Sequence, residues 1–252
     1  MRFGKPGRSL PVGALIAVAV SLSACSSGPS QPAPLRGPSV DVSRAALAGG
    51  SPQMALQAAN SILAKTPRDP KALLAKGDAL TALGHIGQAE WSYRSALARS
   101  PHLVGAHVGL GRCLLAYSPA QAETEFMAAL QGDSENAAAL NNLGVARDLQ
   151  RNHAGAQEAY RKALVSDPDM IGAQANLALS LAMSGNGDEA ERILSPYATD
   201  ANASSKMRHD MAAVMAMGGK TQDAMNILSH DLKPEQARQA IDGYALAREG
   251  GK

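Results

Sequence analysis

The feature that most constrains this chain is a repeat. The stretch from Ala137 to Asp169 reads AAALNNLGVARDLQRNHAGAQEAYRKALVSDPD, and a counterpart lies 67 residues earlier. Leu73, Gly77, Ala89, Tyr93, Ala96 and Pro101 correspond one for one to Leu140, Gly144, Ala156, Tyr160, Ala163 and Pro168. Between them a copy one residue shorter carries Leu110, Gly111, Ala122, Phe126 and Ala129, with its deletion at Ser118-Pro119. In the stretch 137–169, apolar residues recur at helical spacing over roughly 137–149 and 154–165. Arg151-Asn152-His153 turns between the two runs, and Pro168, which has no amide hydrogen, stops the second. Gly144 and Ala156 have almost no side chain, so two antiparallel helices can approach closely there, and Tyr160 fills the space beside the contact. A two-helix unit of about 34 residues cannot bury its apolar face alone, so the copies must stack on one another.

Small residues at the helix contact, an aromatic in the second helix and a closing proline resemble the tetratricopeptide repeat family. The resemblance implies an all-α solenoid of about five to six helix-turn-helix repeats and a capping helix. Residues 41–69 read as a degenerate first repeat, 70–170 as three well-formed repeats, 171–232 as two looser ones and 233–252 as the capping helix and tail. The family's later first-helix aromatics are replaced by Leu80, Leu114 and Arg147. Aromatic residues are only 3% of the chain, which suits Ala/Leu-rich helix stacking.

The front of the chain is read separately. Arg2, Lys5 and Arg8 precede an apolar run from Gly13 to Leu22, too short to span a bilayer and suited to a signal-peptide core. Leu22-Ser23-Ala24-Cys25 then resembles a bacterial lipobox, which implies cleavage between Ala24 and Cys25 and lipid on Cys25. Residues 1–24 are therefore expected to leave as a lipoprotein signal peptide, and residues 25–40, rich in Ser, Gly and Pro, to form a flexible tether. That signal holds three basic residues and no acidic one, so its loss takes the net charge from +2 to −1 and removes the apparent basicity. No nucleic-acid stripe remains. With Cys25 lipidated, Cys113 has no disulfide partner and reads as a small buried apolar residue.

The sequence carries no sign of catalysis. His85, His102, His107, His153, His209 and His230 form no H-E-x-x-H pair, and no Cys/His cluster has zinc spacing. No phosphate-binding glycine loop, dinucleotide fingerprint or nucleophile elbow occurs. Asp188-Glu189 reads as a helix start. Met207, Met211, Met215, Met217 and Met225 read as core. The expectation is a non-enzyme without metal, cofactor or small-molecule substrate.

What remains is protein binding. The first helices of such a stack line one face. By position in the repeat, that face should carry Asp78, Thr81, Val108, Arg112, Leu115, Asn141, Val145, Asp148, Leu179 and Met183. It mixes apolar patches with a central polar group of Arg112, Asn141 and Asp148, and suits an amphipathic helix or extended peptide. The chaperone-binding members of the family clamp a terminal carboxylate with a basic residue and asparagines; Leu74, Asp78 and Gly109 stand at those positions here and argue against that clamp.

The tail adds a finer resemblance. Ala224-Met225-Asn226-Ile227-Leu228, the run Asp231 to Ala237 and a last helix containing Tyr244 resemble the TadD family of tight-adherence (Flp) pilus lipoproteins. That implies an outer-membrane lipoprotein facing the periplasm, whose partners are the pilus secretin or its assembly proteins. Ser26 after the lipid cysteine resembles lipoproteins sorted outward. A type IV pilus pilotin that localises a secretin, or a periplasmic adaptor for peptidoglycan enzymes, are the alternatives.

Overall fold

Helix boundaries in this chain follow local chemistry. In a computed structural model, residues 39–198 and 203–249 are described. The signal peptide, its Ala24–Cys25 cleavage site, the lipidated Cys25 and all but the last two residues of the tether lie outside the described residues. The described residues belong to one compact unit, Pro38–Lys252. Among them are thirteen helices and no strand. They run α1 Val40–Ala48, α2 Pro52–Leu63, α3 Pro70–Ala82, α4 Ile86–Leu97, α5 Val104–Leu114, α6 Pro119–Gly132 and α7 Ala137–Leu149. Then come α8 His153–Ser166, α9 Ile171–Met183, α10 Gly187–Ala198, α11 Ser205–Met217, α12 Thr221–Leu228 and α13 Pro234–Glu249.

Side-chain oxygens cap several starts. Asp69 accepts from the Ala72 amide at 2.8 Å, Asn136 from Ala139 at 2.9 Å and Asn152 from Gly155 at 3.0 Å. Each satisfies one of the amides that a helix start leaves unpaired. Proline opens α2, α3 and α6, where its missing amide costs nothing. Every turn inside a repeat except that from α5 to α6 uses a left-handed residue: Gly50, Gly84, Gly185 and Gly219 fill that role, and Arg151 takes it with φ 62° in the turn from α7 to α8.

Consecutive helices pack as antiparallel neighbours, and each first helix also touches the next first helix, from α1 through α3, α5, α7, α9 and α11 to α13. Second helices approach one another less closely: α8 and α10 meet through an Arg161–Glu189 pair at 3.3 Å. The odd-numbered helices are therefore the closely spaced side of the stack. The second helices supply its largest buried groups, Tyr93, Phe126 and Tyr160. Cys113 is 4% exposed, and burial pushes its thiol pKa up, as expected of an inert core residue. Met207, Met211 and Met217 are core, with Met215 and Met225 packed against it. The last helix does more than close the end. It covers α11 and α12 and reaches back to α9, a step no earlier first helix makes, and Arg248 donates to the carbonyl of Met217.

The glycine of each repeat makes room for a ring as well as for a helix. A methyl group on Gly144 would lie 2.4 Å from the Tyr160 ring, and one on Gly111 2.6 Å from Phe126. Tyr93 packs against two glycines, because a methyl on Gly77 would sit 2.5 Å from it and one on Gly109, in the next repeat, 2.4 Å.

Candidate functional site

All ten residues expected on the first-helix face lie on α3, α5, α7 and α9 or, for Leu115, at the cap ending α5. Arg112 is exposed and the other nine are half-buried. They do not behave alike. Val108, Leu115, Val145, Leu179 and Met183 are apolar groups with partial solvent contact. Asn141 is joined to the next repeat, accepting from Asn176 Nδ2 at 3.0 Å. Arg112 forms no hydrogen bond among the described residues.

Asp78, Thr81 and Asp148 are tied inward. Tyr93 donates its hydroxyl to Asp78 Oδ1 at 2.9 Å, and Thr81 Oγ1 lies 3.1 Å from the same hydroxyl. Burial raises the Asp78 carboxyl above its ordinary range; the hydrogen bond from Tyr93 and the charges of Arg112 and Arg44 offset only part of that shift. Burial likewise pushes the Tyr93 and Tyr160 phenols up, reinforced by Asp78 and Asp148 respectively.

Asp148 has little left to offer a partner. It accepts from Tyr160 at 2.9 Å and from Ser180 Oγ of the next repeat at 2.8 Å, and His153 Nδ1 lies 2.8 Å away. Its side chain is 12% exposed. The carboxylate therefore fastens α7 to α8 and α9, and the polar group read from sequence separates: Arg112 faces solvent, while Asp148 joins repeats. His153 and His107 are joints too. The two His107 nitrogens lie 2.7 Å from Glu125 Oε2 and 2.8 Å from the Pro101 carbonyl.

Sequence reasoning did not find the residues flanking this face at its start. Arg44 and Leu47 on α1, and Lys71 and Leu74 on α3, border a cavity of about 190 Å³ with Asp78. The signal was present: Arg44 precedes Asp78 by one repeat length, as Asp78 precedes Arg112. Among the described residues no group of three His, Cys, Asp or Glu side chains has metal-holding geometry.

A tetratricopeptide repeat family model matches residues 43–102, 118–171 and 150–204, more than half of the chain. The chain belongs to the tetratricopeptide repeat family. An uncharacterized protein, y4yS of Sinorhizobium fredii, is 34% identical over 111 residues. The match spans 44% of this chain and 60% of that relative. Among solved structures, PilW, described as a widely conserved type IV pilus biogenesis factor, superposes with TM-score 0.69 at 17% identity. That match covers 79% of this chain and 96% of PilW. PilF of Pseudomonas aeruginosa gives TM-score 0.64 at 17% identity, over 80% and 95% of the two chains. A tetratricopeptide repeat protein from Parabacteroides merdae gives 0.64 at 19%, over 84% and 90%. At these identities the structural likeness establishes the fold.

Proposed function

We propose that this chain is a non-catalytic scaffold that binds protein partners during assembly of a tight-adherence (Flp) pilus, held by lipid on Cys25 at the outer membrane and facing the periplasm. The observation that carries the binding part is the first-helix face. Solvent-facing side chains follow one another along α1, α3, α5, α7 and α9, and Arg112 stands in their middle without a hydrogen bond. A family of stacked helix pairs presents such faces to peptides and helices of other proteins. The lipobox at Leu22-Ser23-Ala24-Cys25 supports the anchor, and the tail from Ala224 to Tyr244 supports the Flp assignment.

A second reading has its own support. PilW is a type IV pilus biogenesis factor, and this chain covers 96% of it. On that reading the protein would be a pilotin carrying a secretin subunit to the outer membrane. Crosslinking in the native membranes, followed by purification through the lipidated chain, separates the readings. Recovery of a tight-adherence secretin or its channel partners is expected. Recovery of a type IV pilus secretin would favour the pilotin. Peptidoglycan enzymes without any secretin would overturn both.

A further inference from the structure

The first-helix face ends under the last helix of the chain. One position recurs along the first helices at a spacing of one repeat: Arg44, Asp78, Arg112, Val145, Leu179 and Ala213. Arg44 and Arg112 are exposed and Asp78, Val145 and Leu179 half-buried, yet Ala213 is only 4% exposed. Its helix, α11, differs from α5, α7 and α9 in its last neighbour. There α13 stands in place of a next first helix, and it also crosses to α9. Small residues at the contact let it lie close. Ala237 and Ile241 of α13 are buried in one cluster with Ala212 and Ala216 of α11. Tyr244 packs half-buried against this cluster and against the one formed around α9 and α11, and burial and the Asp210 charge push its phenol up.

Little polar fastening holds α13. Arg248 donates to the Met217 carbonyl, the one side-chain hydrogen bond from α13 to another helix among the described residues, where no ion pair joins it either. The Arg248 Nε is buried without an acceptor, and an unpaired buried donor opposes the seated position. The repeats beneath are tied independently of it. Asp148 joins α7 to α8 and α9, Lys220 before α12 pairs with Glu191 of α10 at 2.5 Å, and Arg208 of α11 pairs with Asp231 after α12 at 2.6 Å. Lifting α13 therefore breaks an apolar contact and one hydrogen bond, and leaves the joints from α7 to α12 in place.

We propose that α13 is a displaceable strap: it covers the α11 end of the first-helix face in the free chain, and a partner that follows the face to its end takes its place. The inference rests on the protein-binding reading above. In the free chain the strap keeps the apolar surface of α11 from water. A partner that binds only the open form has its affinity reduced by the fraction of molecules in which α13 is lifted, so weakening α13 strengthens binding. Local opening of a terminal element below the cost of global unfolding is the expected behaviour of a helix with few fastenings.

The test uses the full lipidated chain in detergent, carrying Ala213→Cys as a reporter under α13. Native Cys113, 4% exposed on α5, which does not touch α13, is the internal control. Maleimide labelling followed by mass spectrometry should modify the introduced thiol about tenfold or more faster than Cys113, because α13 lifts without global unfolding. Ile241→Ala should speed that labelling by a further tenfold or about that, and Arg248→Gln should speed it too, with Cys113 still protected in both. A photo-crosslinking amino acid at Arg112 should then capture the native partner about threefold or more better in Ile241→Ala than in the otherwise unchanged chain. Equal labelling of the two thiols, or acceleration of both together, would show that α13 opens only with the whole domain and would overturn the proposal. Capture left unchanged by Ile241→Ala would mean that α13 masks nothing, and capture lowered by it would make α13 part of the binding site; either overturns the strap and leaves the scaffold reading standing. If no chain captures a partner, the scaffold reading itself fails, and the strap fails with it.

Discussion

Gly109→Ala is the sharpest test of how the repeats interlock. In an open helix interior, alanine is more stable than glycine by about 0.5–1 kcal/mol. At Gly109 the new methyl would sit 2.4 Å from Cζ of Tyr93, about 1 Å inside normal contact. The ring has little room to retreat, because a methyl on Gly77 would also lie 2.5 Å from it and its hydroxyl is tied to Asp78. Forcing extra volume into such a site costs about 1–3 kcal/mol. The overpacking outweighs the helical gain, so Gly109→Ala should destabilise by roughly 0.5–2 kcal/mol. Gly243→Ala in α13, with nothing near the added methyl, should stabilise by about 0.5–1 kcal/mol. Removing the ring should reverse the sign. In a Tyr93→Leu background Gly109→Ala becomes favourable, and the double-mutant cycle should show coupling of about 1–3 kcal/mol. Urea unfolding followed by far-ultraviolet circular dichroism measures all four corners. A Gly109→Ala effect that is the same with and without the ring would refute the interlock.

Three further substitutions probe other parts of the structure. Arg147→Ala breaks the bonds from its Nε to Glu123 at 2.8 Å and from its Nη1 to the Gly155 carbonyl at 3.1 Å, and should cost about 1–3 kcal/mol in thermal or urea unfolding. Arg151→Gly relieves a left-handed backbone with φ 62° and should raise stability by up to about 1 kcal/mol; a loss would show that the Arg151 side chain is needed. Asp78→Asn tests the raised carboxyl. Because the folded group binds its proton more readily than the unfolded one, its contribution is most favourable below the ordinary carboxylate pKa and falls as pH rises through the folded value. The variant should gain stability over wild type at pH 7 and lose that advantage near pH 4, so an advantage that grows on acidification would contradict the assignment.

Repeat phase made the helix pairs from α3 to α8 legible, because leucine, glycine and aromatic positions recur and Pro101 and Pro168 stop the first and third of these units. Joints between repeats were not legible, since they depend on atoms of different copies. Arg147 read as a missing aromatic; its partner Glu123 lies 24 residues upstream, and nothing local signals the pair. Asp148 read as a groove residue from its position in the repeat. Only the reach of the Tyr160 hydroxyl and Ser180 shows that it is a fastening. The ring that packs on Gly109 comes from the preceding repeat, a relation no single repeat displays. The reach of α13 back to α9 was equally hidden, because a terminal helix is expected only to cover its immediate neighbour.

The central claim is that the first-helix face, not the outer surface, holds the partner. A photo-crosslinking amino acid placed at Arg112 should capture a pilus assembly protein in native membranes. The same group at Trp91, exposed on the second helix α4, should not. Capture from Trp91 with none from Arg112 would contradict the account and move the binding surface to the second helices.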